Sequence, residues 1–101
     1  MKRELILLAK EKGFISPVIG KSVEAEWSNK PFYYLWMCEL QEWLRDVYDI
    51  WVIVDFEDDS EELYVYARNK NGNHLFDIYK DNFSYKEMLE IGLYEALNLI
   101  K

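Results

Sequence analysis

The residues of this chain that could carry out chemistry are few and lie far apart in the sequence. The tripeptide Gly-Lys-Ser at residues 20–22 matches the last three residues of the phosphate-binding P-loop motif. The first glycine of that motif would fall at position 15, which is Ile15 in this chain. His74 is the only histidine and Cys38 the only cysteine in the sequence. One residue of each kind is too few for a metal site built from histidines and cysteines, and no activating partner marks either residue as part of a catalytic triad. The sequence predicts an ordinary loop, a hydrogen-bonded histidine at a strand end and a small buried cysteine.

Carboxylates are the other candidate reagents. They occupy six of the eight positions from 55 to 62, without the spacing of a calcium loop, which predicts a solvated turn. The whole chain has 19 Asp and Glu against 12 Lys and Arg, a net charge of -7 that repels phosphate backbones. The sequence therefore predicts no metal, no cofactor and no nucleic-acid partner, while an enzyme that uses an unmarked pair of carboxylates stays open as an alternative.

Length and composition predict one domain over residues 1–101, because half of the 101 residues are hydrophobic and can supply one core. The apolar run LILLA at residues 5–9 is too short for a secretory signal or a membrane span. A single cysteine is compatible with a reducing compartment. The expected location is the cytoplasm, without membrane attachment.

Hydrophobic spacing and turn residues predict an α+β fold in the order ααβββα, with a three-stranded antiparallel meander and helices packed on one face. Residues 1–31 supply the first helix and a long connector, and residues 32–101 supply the remainder. The predicted elements are a helix at 3–12, a connector at 13–31 with an extended piece near 23–27, a helix from Pro31 to about Tyr48, strands at 50–56, 63–68 and 74–79, and a closing helix.

The closing helix has its own start signal. Ser84 and Glu87 have the spacing of a capping box. Gly92 and Ala96 are four residues apart and so lie on the same side of the helix. A glycine inside a helix costs about 1 kcal/mol relative to alanine. Its presence is explained if the helix must lie close to a neighbouring element at this point. The predicted buried stripe is Leu89, Gly92, Leu93, Ala96, Leu97 and Ile100.

Alternation along the strands separates two faces of the sheet. The face that helices should cover carries Ile50, Val52, Val54, Phe56, Leu63, Val65, Ala67, Phe76 and Ile78. The other face, here called the outer face, carries the candidate interaction residues Trp51, Ile53, Tyr64, Tyr66 and Tyr79, together with Leu75 and the charged Asp55, Arg68 and Asp77. Aromatics mixed with a few charges are typical of interface cores. Either the first helix or the connector covers this face, or a second copy or a host protein does.

Three stretches of the chain resemble small uncharacterised proteins of bacteriophages and mobile elements of gut-type bacteria. They are LAKEKGFISP at 8–17, EWLRDVYDIWVIV at 42–54 and FSYKEMLEIGLYEALNLI at 83–100. Members of this group have a closing helix of the type Tyr-x-Glu-Ala-Leu-x-x-Gly-Leu-x-x-Ala-Leu. In the last stretch Met88 and Leu89 stand where that pattern usually has Ala and Leu. The resemblance is structural, implies no known activity and transfers no functional residue.

The order helix, three strands, helix from residue 32 onward also resembles double-stranded RNA-binding domains. Members of that family bind phosphates through a lysine-rich start of their last helix and through a contact loop between their first two strands. Here the helix start offers only Lys86, and the loop reads EDDSEE, which repels a duplex. The sequence favours a non-enzymatic accessory protein that acts through protein contacts, with an enzyme or an acidic nucleic-acid mimic as alternatives.

Overall fold

The computed structural model describes residues 2–16, 30–56 and 62–100, and the predicted α+β fold in the order ααβββα is confirmed there. The GKS tripeptide, the expected extended piece near residues 23–27 and most of the acidic run lie outside the described residues. The elements are α1 Lys2–Glu11, α2 Lys30–Tyr48, β1 Trp51–Phe56, β2 Leu63–Arg68, β3 His74–Tyr79 and α3 Tyr85–Asn98.

The sheet is an antiparallel meander in the spatial order β1-β2-β3. α3 packs across β1 and β2, α2 packs against α3 and β1, and α1 packs against α3. All three helices therefore lie on one side of the sheet. No described helix is long and apolar enough to cross a membrane.

The core lies between this helical layer and the sheet. Most of the face predicted to be covered is buried or half-buried, but Phe56 at the end of β1 is 57% exposed because the helices stop short of it. Among the described residues, the largest fully buried side chains are Leu5, Ile6, Met37, Leu40, Leu44, Val65, Met88, Leu89, Leu93 and Leu97.

The predicted capping box at the start of α3 is confirmed. Ser84 Oγ accepts a hydrogen bond from the Glu87 backbone N–H at 3.2 Å, and the Glu87 carboxylate accepts one from the Ser84 N–H at 2.9 Å. These hydrogen bonds hold the pKa of Glu87 below its usual value. The predicted stripe is buried along its whole length, so the sequence identified which face of α3 meets the core.

The end of α2 is formed by an aspartate in a left-handed conformation. Asp49 has a φ of 56°, and its N–H donates to the Arg45 carbonyl at 3.1 Å, which is the single hydrogen bond of an αL cap. The Ile50 N–H donates in addition to the Leu44 carbonyl at 3.1 Å. Aspartate tolerates this conformation better than most residues. The Asp49 carboxylate also accepts hydrogen bonds from Trp51 Nε1 at 3.0 Å and from the Lys70 N–H at 2.9 Å, so it joins α2, β1 and the β2–β3 turn.

The turn of the β2–β3 hairpin extends over residues 69–73 and contains an Asn71-Gly72 pair, which is a strong hairpin signal in a sequence. The Gly72 N–H donates to the Asn69 carbonyl at 3.0 Å, and the Asn69 side-chain oxygen accepts from the N–H groups of Asn71 and Asn73. Gly72 has a φ of 82°, which glycine adopts without strain. Asn69 therefore holds the turn, and Gly72 permits its shape.

A half-buried tyrosine links α2 to α3. The Tyr33 hydroxyl donates to the Glu90 carboxylate at 2.5 Å. Burial, and then this negatively charged partner, raise the pKa of Tyr33 far above that of a free tyrosine. In the unfolded chain Tyr33 ionises near pH 10, whereas the folded protein keeps its proton.

We expect this difference to destabilise the folded protein in alkali. A raised folded-state pKa stabilises the fold fully below the unfolded pKa, and the contribution is lost as the pH rises above about 10. Denaturant titrations from pH 8 to 11 should show the free energy of unfolding falling less steeply above pH 10 for Tyr33→Phe than for wild type. Tyr85→Phe, at an exposed position, serves as the control, and identical slopes for Tyr33→Phe and wild type would contradict the expectation.

Candidate interaction surface

The five candidate residues of the outer face lie on one side of the sheet, as the alternation predicted. Cross-strand pairing sets Ile53 opposite Tyr66 and Tyr64 opposite Tyr79. Trp51 lies two residues before Ile53 on β1 and so points the same way. The strands thus bring together side chains that are up to 28 positions apart in the sequence.

Four rings on this face form a continuous stack, here called the aromatic ladder. Tyr79 stacks on Tyr64 with 5.1 Å between ring centroids, Tyr64 on Tyr66 at 5.7 Å, and Tyr66 on His74 at 6.1 Å. The planes of successive rings lie within 21° of parallel. Stacked cross-strand aromatic pairs stabilise a sheet by up to about 1 kcal/mol each. The contacts within the aromatic ladder therefore stabilise the sheet and keep these rings in fixed positions.

The sequence analysis did not assign His74 to this face. A β-bulge opposite residues 67 and 68 shifts the register, so that Ala67 pairs with Phe76 but Arg68 pairs with His74. His74 Nε2 lies 3.5 Å from Asp77 Oδ2, an approach that two residues three apart in a regular strand could not make, because they point to opposite faces. Simple alternation, which placed Leu75 on the outer face and left His74 out, cannot detect this shift.

Trp51 occupies the opposite corner of the outer face and is held by charged groups. The guanidinium of Arg45 lies 5.3 Å from its ring centroid and that of Arg68 lies 5.8 Å from it, both within cation–π range. Its indole N–H donates to Asp49. The orientation of Trp51 is therefore fixed before any partner binds, which lowers the entropy cost of binding through it.

No described helix covers the outer face. α1 packs on α3, on the opposite side of the sheet, so the alternative in which the first helix covers the face is wrong. After α1 the chain follows α2: Phe14 packs edge-on against Trp36 and the Ser16 hydroxyl donates to Glu39 at 2.7 Å. The rest of the connector lies outside the described residues, so its part in covering the face stays a prediction. Tyr79, at one end of the ladder, is 52% exposed.

The other chemically interesting residues do not converge on a site. Cys38 is half-buried rather than buried as expected, and it neighbours Tyr34, whose pKa is raised by burial and then by this cysteine. His74 begins β3 as expected, but its neighbours are Tyr66 and Asp77. Over residues 2–16, 30–56 and 62–100, no group of three or more His, Cys, Asp and Glu side chains could hold a metal ion.

Comparison with known proteins adds no relative. No protein-family model, no curated protein and no solved structure matches this chain.

The geometry of the outer face favours some ligands over others. Tyr64 and Tyr66 each have two nearly parallel ring neighbours, which occupy ring surface that a nucleic-acid base would need for stacking. The groups that remain for contact with a ligand are the edges of the tyrosine rings, their phenolic oxygens and the side chain of Trp51. Amphipathic, rigid aromatic side chains of this kind are enriched in protein interfaces.

Proposed function

We propose that this domain is a non-enzymatic protein-interaction module, of the accessory type that its resemblance to phage proteins suggests, and that it acts through the outer face of its sheet. The observation that carries the proposal is the aromatic ladder beside the fixed Trp51, a surface that no described helix covers. Soluble monomers rarely leave such a patch uncovered. Its partner is a second copy of the chain or a protein of the cytoplasm in which it is made.

Charge and ring geometry support a protein partner over a nucleic acid. The chain carries a net charge of -7, which opposes approach to a phosphate backbone. The two arginines nearest the outer face already contact Trp51.

The test is a pair of substitutions that removes two aromatic side chains from the outer face. Trp51→Ser combined with Tyr66→Ser should abolish self-association, measured by sedimentation, or binding to a partner captured by the wild type. Aromatic anchors at the middle of an interface commonly contribute about 2 kcal/mol or more each. Tyr85→Ser, which removes an exposed tyrosine from α3, is the matched control and should leave both properties unchanged.

We expect the double variant to keep its fold, because both side chains point away from the core. Circular dichroism checks this. The proposal fails if the wild type sediments as a strict monomer at high concentration and the folded double variant still captures the same partner. It also fails if removal of residues 17–29 leaves a soluble protein that newly self-associates through Trp51 and Tyr66, because the connector would then be the cover.

A further inference from the structure

A second surface lies on the helical side of the sheet, where β3 extends beyond the cover of α3. An open groove of about 690 Å³ separates the two elements. Its apolar lining consists of Phe76 and Ile78 from β3, Phe83 from the loop, and Ile91 from α3. Phe83 is 37% exposed. None of these residues belongs to the outer face, so the groove is a separate feature.

The two edges of the sheet are not equivalent. At the β1 edge, the Gln41 side chain of α2 donates a hydrogen bond to the Val52 carbonyl at 2.6 Å, which occupies a backbone acceptor that faces away from β2. At the β3 edge, no strand of the described chain pairs beyond β3. An exposed edge of this kind can accept a further strand.

The ladder pattern identifies the backbone groups at that edge. Since the Val52 carbonyl points away from β2, its partner Ala67 points its own backbone groups toward β3. Alternation then directs the backbone groups of Phe76 and Ile78 toward β2, and those of Asp77 and Tyr79 outward. The side chains of Phe76 and Ile78 meanwhile face the groove. A strand added here would place every second side chain in the groove.

The charges around the groove are mainly negative. Glu87, Glu90 and Glu95 line it, and Lys80 is the one basic residue among the described residues of the lining. Glu87 is held in place by the capping box, and Glu90 accepts the Tyr33 hydroxyl. A second copy of this chain, itself strongly acidic, is poorly matched to such a rim, whereas a basic segment is well matched.

We propose that this groove binds an extended, basic peptide segment of a partner protein, which pairs with the free edge of β3 and places alternate side chains against α3. This mode is β-strand addition, in which backbone hydrogen bonds provide affinity and the groove provides selectivity. It is independent of the outer face and goes beyond the proposed function.

The spacing along α3 specifies the segment further. Glu87, Ile91 and Glu95 follow one another at four-residue intervals, so the first and last are about 12 Å apart along the helix. In an extended chain, residues i and i+4 lie about 13 Å apart and point to the same face. The matching pattern is therefore a basic residue, an apolar residue two positions on, and a second basic residue two positions beyond that.

The experiment uses the full chain and the acetylated, amidated peptide Thr-Lys-Thr-Val-Thr-Lys-Thr. We expect calorimetric binding that weakens with added salt, and amide shifts in nuclear magnetic resonance spectra at residues 76–80 and along α3. Glu95→Lys should weaken binding about tenfold. Trp51→Ser combined with Tyr66→Ser should leave it unchanged, so that failure of the outer-face proposal and failure of this one are distinguishable.

Two altered peptides separate the contribution of the lysine charges from that of backbone strand pairing. Replacing both lysines by glutamate should abolish detectable binding, and N-methylation of backbone amides on the sheet-facing edge should weaken it by removing strand pairing. The proposal is overturned if the acidic peptide binds equally well, if N-methylation has no effect, if the amide shifts map to Trp51, Ile53 and Tyr66 instead of residues 76–80, or if no binding occurs at millimolar peptide. Self-association of the wild type that Glu95→Lys abolishes would assign the groove to a second copy and also overturn it.

Discussion

Gly92→Leu is expected to lower the free energy of unfolding by about 3 kcal/mol, the upper end of the usual range for overpacking a core. A Cβ atom at position 92 would lie 2.4 Å from Val65 Cγ2 and 3.0 Å from Val52 Cγ1. Val65 is fully buried on the central strand and its branched side chain has little rotamer freedom. Even one added carbon therefore forces α3 away from the sheet, and a leucine forces it further.

Chemical denaturation of paired variants checks this result. Glu95→Gln, on the exposed side of the same helix, should change the free energy of unfolding by less than about 0.5 kcal/mol. Gly92→Ala should be less damaging in a Val65→Ala background than alone, because the shortened valine leaves room for the new methyl group. Equal stabilities for Gly92→Leu and Glu95→Gln would show that α3 does not approach the sheet at this residue.

Leu93→Ala should cost about 2 to 5 kcal/mol, since it removes a fully buried side chain and leaves a cavity between α3 and its neighbours. Leu99→Ala makes the same chemical change at the end of the same helix, where the side chain is 46% exposed. Its cost should stay near 0.5 kcal/mol. Thermal unfolding of both variants tests the expectation, and a comparable loss at the two positions would contradict the burial pattern of α3.

The local signals of the sequence were sufficient for the helices and strands. The capping box at Ser84 and the stripe through Leu93 depend only on neighbours within one helix. Period-two alternation correctly grouped Tyr64, Tyr66 and Tyr79 because each strand is regular where these residues lie. These features could be predicted because their cause is contained in a few consecutive residues.

The details of both surfaces have causes that are distant in the sequence. The bulge that turns His74 to the outer face depends on the fit between β2 and the turn, and a single-strand pattern cannot encode it. The contact of Gln41 with Val52 joins a helix to a strand edge. The groove lies where α3, which packs on β1 and β2, does not extend fully across the half-buried inner side of β3. No spacing rule within a segment predicts how far a helix extends across a sheet.

The attachment of α1 to α3 also determines when the first helix can fold during synthesis. Leu5, Ile6 and Ala9 are buried in the shared core, and the Lys12 ammonium donates to the Ile100 carbonyl at 2.7 Å. These partners are 88 positions apart, so α1 remains without its packing surface on α3 until α3 has been synthesised. The apolar face of α1 therefore lacks this cover until α3 has been made, and any truncation that removes α3 should release α1 as well.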